Sequence, residues 1–138
     1  MEITYKVNNA ITTNQFIDLL ISSALAERRP VDDRDCMEGM INNSNLMVTA
    51  WYGNKLVGIA RSMTDFHYAC YLSDLAVDKN YQNNNIGKEL QKITQKQLGS
   101  KCKLLFIAAP AANKYYEYIS FTNNQRCWVL NREQIISG

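Results

Sequence analysis

A chain of 138 residues is long enough to bury roughly two thirds of its unfolded surface in one core and too short to build a second domain. Its 15 basic and 13 acidic residues leave a net charge of +2, which supplies neither the basic stripe of a nucleic-acid binder nor the acidic excess of a disordered tail. Residues 1–6 carry no basic segment followed by an apolar one, and no apolar run reaches membrane-spanning length, so a cytoplasmic protein with no nucleic-acid or membrane partner is expected.

Residues 2–7 alternate in the manner of a strand. Thr12 with Gln15 three residues on reads as a capping box, opening a helix to about residue 25 whose apolar face uses Phe16, Leu19, Leu20 and Ala24. Pro30 disfavours helical geometry in Arg29 and closes it. A second helix is expected over 33–41, capped by Asp32 or Asp33. Residues 46–52 and 55–63 are β-rich and flank Gly53-Asn54, a two-residue hairpin signal, and a turn around Asp65 leads into a third strand at 68–77.

The chain then turns polar through Gln82, Asn83, Asn84, Asn85, Ile86, Gly87 and Lys88, and resumes as an amphipathic helix with Ile86, Leu90 and Ile93 at helical spacing. This helix runs to about Leu98, with Gly99 as a stop. A strand, a polar loop and a helix start together suit an anion. The first helical turn leaves N–H groups without intrahelical partners and carries the positive end of the dipole. Asn tolerates the left-handed conformation that turns successive amides toward one anion, Gly87 permits close approach, and Lys88 adds charge. A Walker loop would need Gly in place of Gln82 and Ser or Thr in place of Glu89, and a dinucleotide fingerprint would need three Gly where there is one.

Residues 104–109 form a continuous apolar run, as in a strand covered on both faces, reached from the preceding helix by a parallel crossover. Pro110 ends it. A short helix over 111–119 puts Tyr115, Tyr118 and Ile119 on one face and Ala112 and Tyr116 on another, and residues 127–130 make a last strand. Cys36, Cys70, Cys102 and Cys127 are widely spaced in a chain with one His, which excludes a standard zinc site and argues against disulfides. They are expected as small buried hydrophobes, with no metal cofactor.

Two of these segments resemble one family. The run from Gln82 to Gly87 is similar to the acyl-CoA signature of the GNAT superfamily of N-acetyltransferases, Q/R-x-x-G-x-G/A, with Asn85 where Gly is usual. The run from Ala112 to Phe121 resembles the family segment A-x-x-[FLY]-Y-E-K-x-G-F, with Ser120 in place of the usual Gly. The order β-α-α-β-β-β-α-β-α-β is that of the family, so the resemblance spans the chain as one domain, 1–138, of the small bacterial type. It implies an α/β (α+β) GNAT fold, a mixed central sheet flanked by helices, with acyl-CoA in the splay between the two central strands.

The resemblance also implies roles. Acetyl-CoA is the cosubstrate, gripped at its pyrophosphate by the loop from Gln82 to Lys88. Leu75, Ala76 and Val77 sit where the family strand splays at a bulge and pairs with the pantetheine amides. Tyr116 falls on the family tyrosine that protonates the departing thiolate, a sound role for a phenol that stays protonated at neutral pH; filling a core among three Tyr is the alternative. A base must deprotonate the incoming amine. Tyr71-Leu72-Ser73-Asp74 resembles the Y-L-E-D of polyamine acetyltransferases with Ser73 in place of the basic Glu, which leaves Asp74, or a water chain held by Ser73, as candidates. Asp74 is equally suited to bonding neighbouring backbone.

Arg28 and Arg29, in the connection that borders the acceptor pocket of this fold, and Arg61, near a strand end, would suit an acceptor with a carboxylate or phosphate. Taken singly, each also suits a solvated surface position. The expected activity is transfer of acetyl to a primary amine of a small molecule or peptide. The rival is a non-catalytic acyl-CoA-binding module that lacks an efficient base. Terminal strands of this fold often pair, so a homodimer is compatible with the reading.

Overall fold

The computed structural model describes residues 2–109 and 112–138, apart from the side chain of Asn113. It divides into two compact units, Met1–Ile107 and Ala108–Gly138.

The first unit is built on a five-stranded sheet, β1 (Thr4–Val7), β2 (Leu46–Tyr52), β3 (Lys55–Thr64), β4 (Ala69–Val77) and β5 (Lys103–Phe106), in that spatial order. Pairing is antiparallel from β1 to β4 and parallel between β4 and β5. Three helices accompany it: α1 (Thr13–Ser22), α2 (Arg34–Asn42) and α3 (Ile86–Lys96). The parallel pair requires a crossover, and α3 is that crossover.

The capping box forms as expected, with Gln15 N–H donating to Thr12 Oγ1 at 3.0 Å and Thr12 N–H to Gln15 Oε1 at 2.8 Å. Asp33 caps α2, its carboxylate accepting from Cys36 N–H at 3.1 Å. Helix α1 stops earlier than its periodicity predicts, because Ala24 takes a left-handed φ of 69° before a 3-10 turn at Leu25–Arg28.

Two apolar layers sandwich the sheet. On one face α1 and α2 bring Phe16, Leu19, Leu20 and Met37 onto Met47, Trp51, Leu56, Ile59 and Ala76. On the other, α3 lays Ile86 and Leu90 over Val48, Ala50, Val57, Ala60 and Leu72. Each fully covered side chain of this size contributes about 1.5–3 kcal/mol. Gly58 sets the closeness of α3: a Cβ there would stand 3.1 Å from Ile86 Cγ2 and Leu90 Cδ1, and 3.2 Å from Ala50 Cβ.

Strand β5 differs from its expectation. It is shorter than the apolar run and covered on one face only, with Leu104 and Phe106 packed toward α3 while Leu105 and Ile107 are exposed. Of the cysteines only Cys70 is buried, and burial pushes its thiol up; Cys102 is half-buried, and Cys36 and Cys127 are exposed. The expected end of the 104–109 run at Pro110 and the start of the next helix at Ala111 lie outside the described residues.

The second unit holds α4 (Asn113–Tyr118). Residues 127–130 are not a strand, and Trp128 is 90% exposed. Apolar, β-favouring residues make a strand only against a partner ladder, and no strand in this unit offers one among the described residues.

Candidate acyl-CoA site

The register of β3 against β4 shifts by one at its middle. Arg61 faces Asp74 and Ser62 faces Leu72, which leaves Ser73 as the extra residue of a bulge. The consequence is a change of face. Leu72 lies in the α3 layer, while Ala76 lies in the α1/α2 layer, although two residues of even number in an unbroken strand would share a face. The bulge therefore sits before Leu75, Ala76 and Val77, which pair regularly with Ala60, Ile59 and Gly58. A trace of it is readable in the chain: Cys70, Leu72, Leu75 and Val77 are apolar at spacings of two, three and two.

Among the described residues, β4 beyond Leu72 has a ladder partner on one edge only. Pairing with β5 ends at Leu72 and Phe106, whereas pairing with β3 continues to Val77. Asp78 N–H donates to Val57 O at 2.9 Å. The alternation of an antiparallel ladder then directs the main-chain groups of Leu75 and Val77 to the open edge and those of Ala76 to β3.

The loop after β4 folds back on that edge. Asp78 caps a 3-10 turn, Lys79–Tyr81, accepting from Asn80 N–H at 2.9 Å, and Gln82 Nε2 donates to Val77 O at 3.3 Å. Asn83 and Asn85 adopt left-handed φ values of 68° and 59°, the conformation their residue type favours. Asn84 Nδ2 ties the turn to Tyr81 O at 3.0 Å and Gln82 O at 3.2 Å. Asn85 precedes α3 with no side-chain cap, and Gln82, Asn83, Asn84, Asn85 and Lys88 are exposed while Ile86 is buried. A Cβ on Gly87 would meet only Val77 Cγ2, at an ordinary 3.7 Å, so internal packing does not demand glycine there.

Arg29, Arg61, Ser73 and Asp74 are brought together. Asp74 is 0% exposed. One of its carboxylate oxygens accepts from Arg29 Nε and the other from Arg61 Nε. Arg29 also donates from Nη2 to Ser73 O at 2.8 Å and from Nη1 to Arg28 O at 2.9 Å. Arg61, 4% exposed, donates from Nη2 to Ser73 Oγ at 3.1 Å and from Nη1 to Met40 O at 3.1 Å and Ser44 Oγ at 2.9 Å. Arg61 thus faces inward, over the Phe16 ring. Arg28 is exposed. These pairings join residues 45 and 13 positions apart, and no local pattern announces them.

In the second unit, α4 ends in a Schellman motif. Phe121 N–H donates to Tyr116 O at 2.8 Å and Ser120 N–H to Glu117 O at 3.1 Å, with Ser120 left-handed at φ 80°. The accompanying apolar contact is made by the Phe121 and Tyr116 rings, edge to face at 5.5 Å. Burial, and then the neighbouring Tyr115, push the Tyr116 phenol up from its ordinary value, so it remains protonated across the neutral range.

Among the described residues no group of three or more His, Cys, Asp or Glu is placed to hold a metal ion, and no helix is long and apolar enough to cross a membrane. No match was found among curated proteins. The fold is similar to that of a GNAT-family acetyltransferase from Streptococcus pneumoniae, at 19% identity over 96% of this chain and 100% of that one, with a TM-score of 0.73. It is also similar to a ribosomal-protein-alanine N-acetyltransferase from Brucella melitensis, at 18% identity over 95% and 99% of the two chains with a TM-score of 0.70. An aminoglycoside N-acetyltransferase in complex with CoA matches at 13% identity over 96% of each chain, with a TM-score of 0.72. The family model of the acetyltransferase (GNAT) domain matches residues 22–130. That match runs through most of the chain, which belongs to the GNAT acetyltransferase family.

Proposed function

We propose that residues 1–138 form one acetyltransferase domain that moves the acetyl group of acetyl-CoA to a primary amine by direct attack in a ternary complex. The observation that carries this reading is the open edge of β4 at Leu75 and Val77, which leads directly into the Asn83–Asn85 loop and the uncapped start of α3. An extended arm with amides suits such an edge, and a pyrophosphate suits such a helix start. In this assignment Gln82, Asn83, Asn84, Asn85, Ile86, Gly87 and Lys88 hold the pyrophosphate, and Leu75 and Val77 hold the pantetheine arm, with Ala76 as the spacer between them.

Chemically, the amine nitrogen attacks the thioester carbonyl, the carbon–sulfur bond breaks, the amine proton leaves to solvent, and Tyr116 gives its proton to the thiolate and regains one from solvent. Holding the reactants in one groove supplies the larger part of the rate. Asp74 is poorly suited to take the amine proton, because a guanidinium donates to each of its oxygens. Ser73 Oγ accepts from Arg61 and keeps its own proton to donate, which favours a water chain at Ser73 as the exit. Arg28, being exposed, is the better placed of the three arginines for an anionic group on a small-molecule or peptide acceptor. Action in the cytoplasm, and as a homodimer, belongs to the same proposal.

The engagement of both Asp74 oxygens by guanidinium groups favours, as a second reading, a module that binds acyl-CoA without turning it over. Titration with acetyl-CoA followed by turnover across a panel of primary amines separates the two. A transferase shows turnover that falls at least about tenfold in Tyr116→Phe with acetyl-CoA affinity retained. A module shows the affinity and no turnover, and absence of affinity refutes both.

A further inference from the structure

The bulge at Ser73 is not held by the ladder. Its hydroxyl, its carbonyl and the carboxylate of the next residue are all held from outside β4, by two guanidinium groups on different elements: Arg61 on β3, and Arg29 on the connection between the 3-10 turn and α2. Each arginine grips both residues of the pair, Arg29 through Ser73 O and the Asp74 carboxylate, Arg61 through Ser73 Oγ and the same carboxylate.

The grip falls at the one place on β4 where two changes coincide. Pairing with β5 ends at Leu72, and the side-chain parity reverses between Leu72 and Ala76. If Ser73 slipped into register, Asp74 would turn toward the apolar α3 layer, and the main-chain groups of Leu75 and Val77 would turn from the open edge to β3. A carboxylate cannot enter that layer unpaired without a large desolvation cost. The two arginines anchor Asp74 on the opposite face, so the register that opens the edge is the one in which this charge is satisfied.

We propose that Arg29, Arg61 and Asp74 are positioning residues that fix the Ser73 bulge and so present Leu75 and Val77 to the pantetheine arm of the cosubstrate; the second half of this rests on the acyl-CoA reading above. In this role none of the three need touch the reacting atoms. Arg29 is the informative member, since its side chain is 22% exposed and its removal leaves Asp74 still paired with Arg61.

The test compares the unaltered chain with Arg29→Ala and Arg29→Lys, titrating each by calorimetry with CoA and with adenosine 3′-phosphate 5′-diphosphate, which is CoA without its pantetheine arm. In Arg29→Ala, CoA affinity falls about tenfold or more, the equivalent of about 1.4 kcal/mol, while affinity for the armless nucleotide changes less than about twofold. Arg29→Lys recovers part of the loss, because an ammonium holds the carboxylate but cannot bridge to Ser73 O in the same plane. Unchanged CoA affinity, or an equal loss for both ligands, overturns the proposal.

Amide hydrogen exchange on the same proteins without ligand reads the clamp separately. Faster exchange confined to residues 73–77, with β2 unchanged, is the expected result. Uniform change, or none, overturns the clamp whatever binds. Should the unaltered chain bind neither ligand while exchange behaves as expected, the acyl-CoA reading fails and the clamp stands as a fixture of the strand alone.

Discussion

Gly87→Ala sets the stability of the fold against the use of the loop. The added Cβ meets only the Val77 methyl at an ordinary 3.7 Å, and residue 87 lies in the first turn of α3 without a positive φ. Replacing glycine by alanine in a helix gains about 0.5–1 kcal/mol, which for a chain of this size raises Tm by about 2–4 °C. In the acyl-CoA reading the same methyl stands where a phosphate oxygen must approach the backbone, and CoA affinity falls at least about tenfold, or about 1.4 kcal/mol. Thermal unfolding and calorimetric titration on one preparation give both numbers. A lower Tm would mean that the fold itself requires glycine at 87, and unchanged affinity would mean that the phosphate does not reach this turn. Either result refutes the assignment of Gly87 to ligand approach.

Ser120 occupies the left-handed position of the Schellman motif that ends α4, so Ser120→Gly should remove strain and stabilise the chain by about 0.5–1 kcal/mol in urea unfolding; destabilisation would show that the hydroxyl, not the backbone, matters there. Asp65 accepts from the N–H groups of Tyr68, Ala69 and His67, which in that order of weight hold its pKa at about 2 against an ordinary 3.8. A depressed carboxylate contributes stability that is complete above the ordinary value and is lost as pH falls through the folded one. The Tm of the unaltered chain should therefore decline between about pH 4 and pH 2 more steeply than that of Asp65→Asn, and parallel curves would refute the turn as the source.

The elements most legible in the sequence are those decided by neighbours along the chain. The Thr12–Gln15 box, the hairpin at Gly53-Asn54 and the left-handed asparagines before α3 follow from bonds and torsions spanning a few residues. Strand 127–130 failed for the opposite reason: Cys127 to Leu130 have the right composition, but a strand is made by its partner. The Arg29, Asp74 and Arg61 cluster lay beyond reach because three separate segments must fold before those side chains meet. It also changes the meaning of Asp74 and Arg61, from candidate base and candidate acceptor contact to a mutually satisfied pair. The bulge was half legible. Its effect on the strand edge was expected, while its position at Ser73 becomes clear only when the face of each apolar residue is known.

An extra residue in a strand is a matter of number, not of side-chain type. Exchanging Ser73 for another small residue leaves the count, and with it the reversal between Leu72 and Ala76, untouched. Deleting it would leave Leu72 and Ala76 three places apart in an unbroken strand, on opposite faces as before, so the bend of the bulge would go while Asp74 stayed opposite Arg61. The open edge of β4 is therefore robust to drift in composition, and a groove specified in this way can persist while little of the surrounding sequence stays the same.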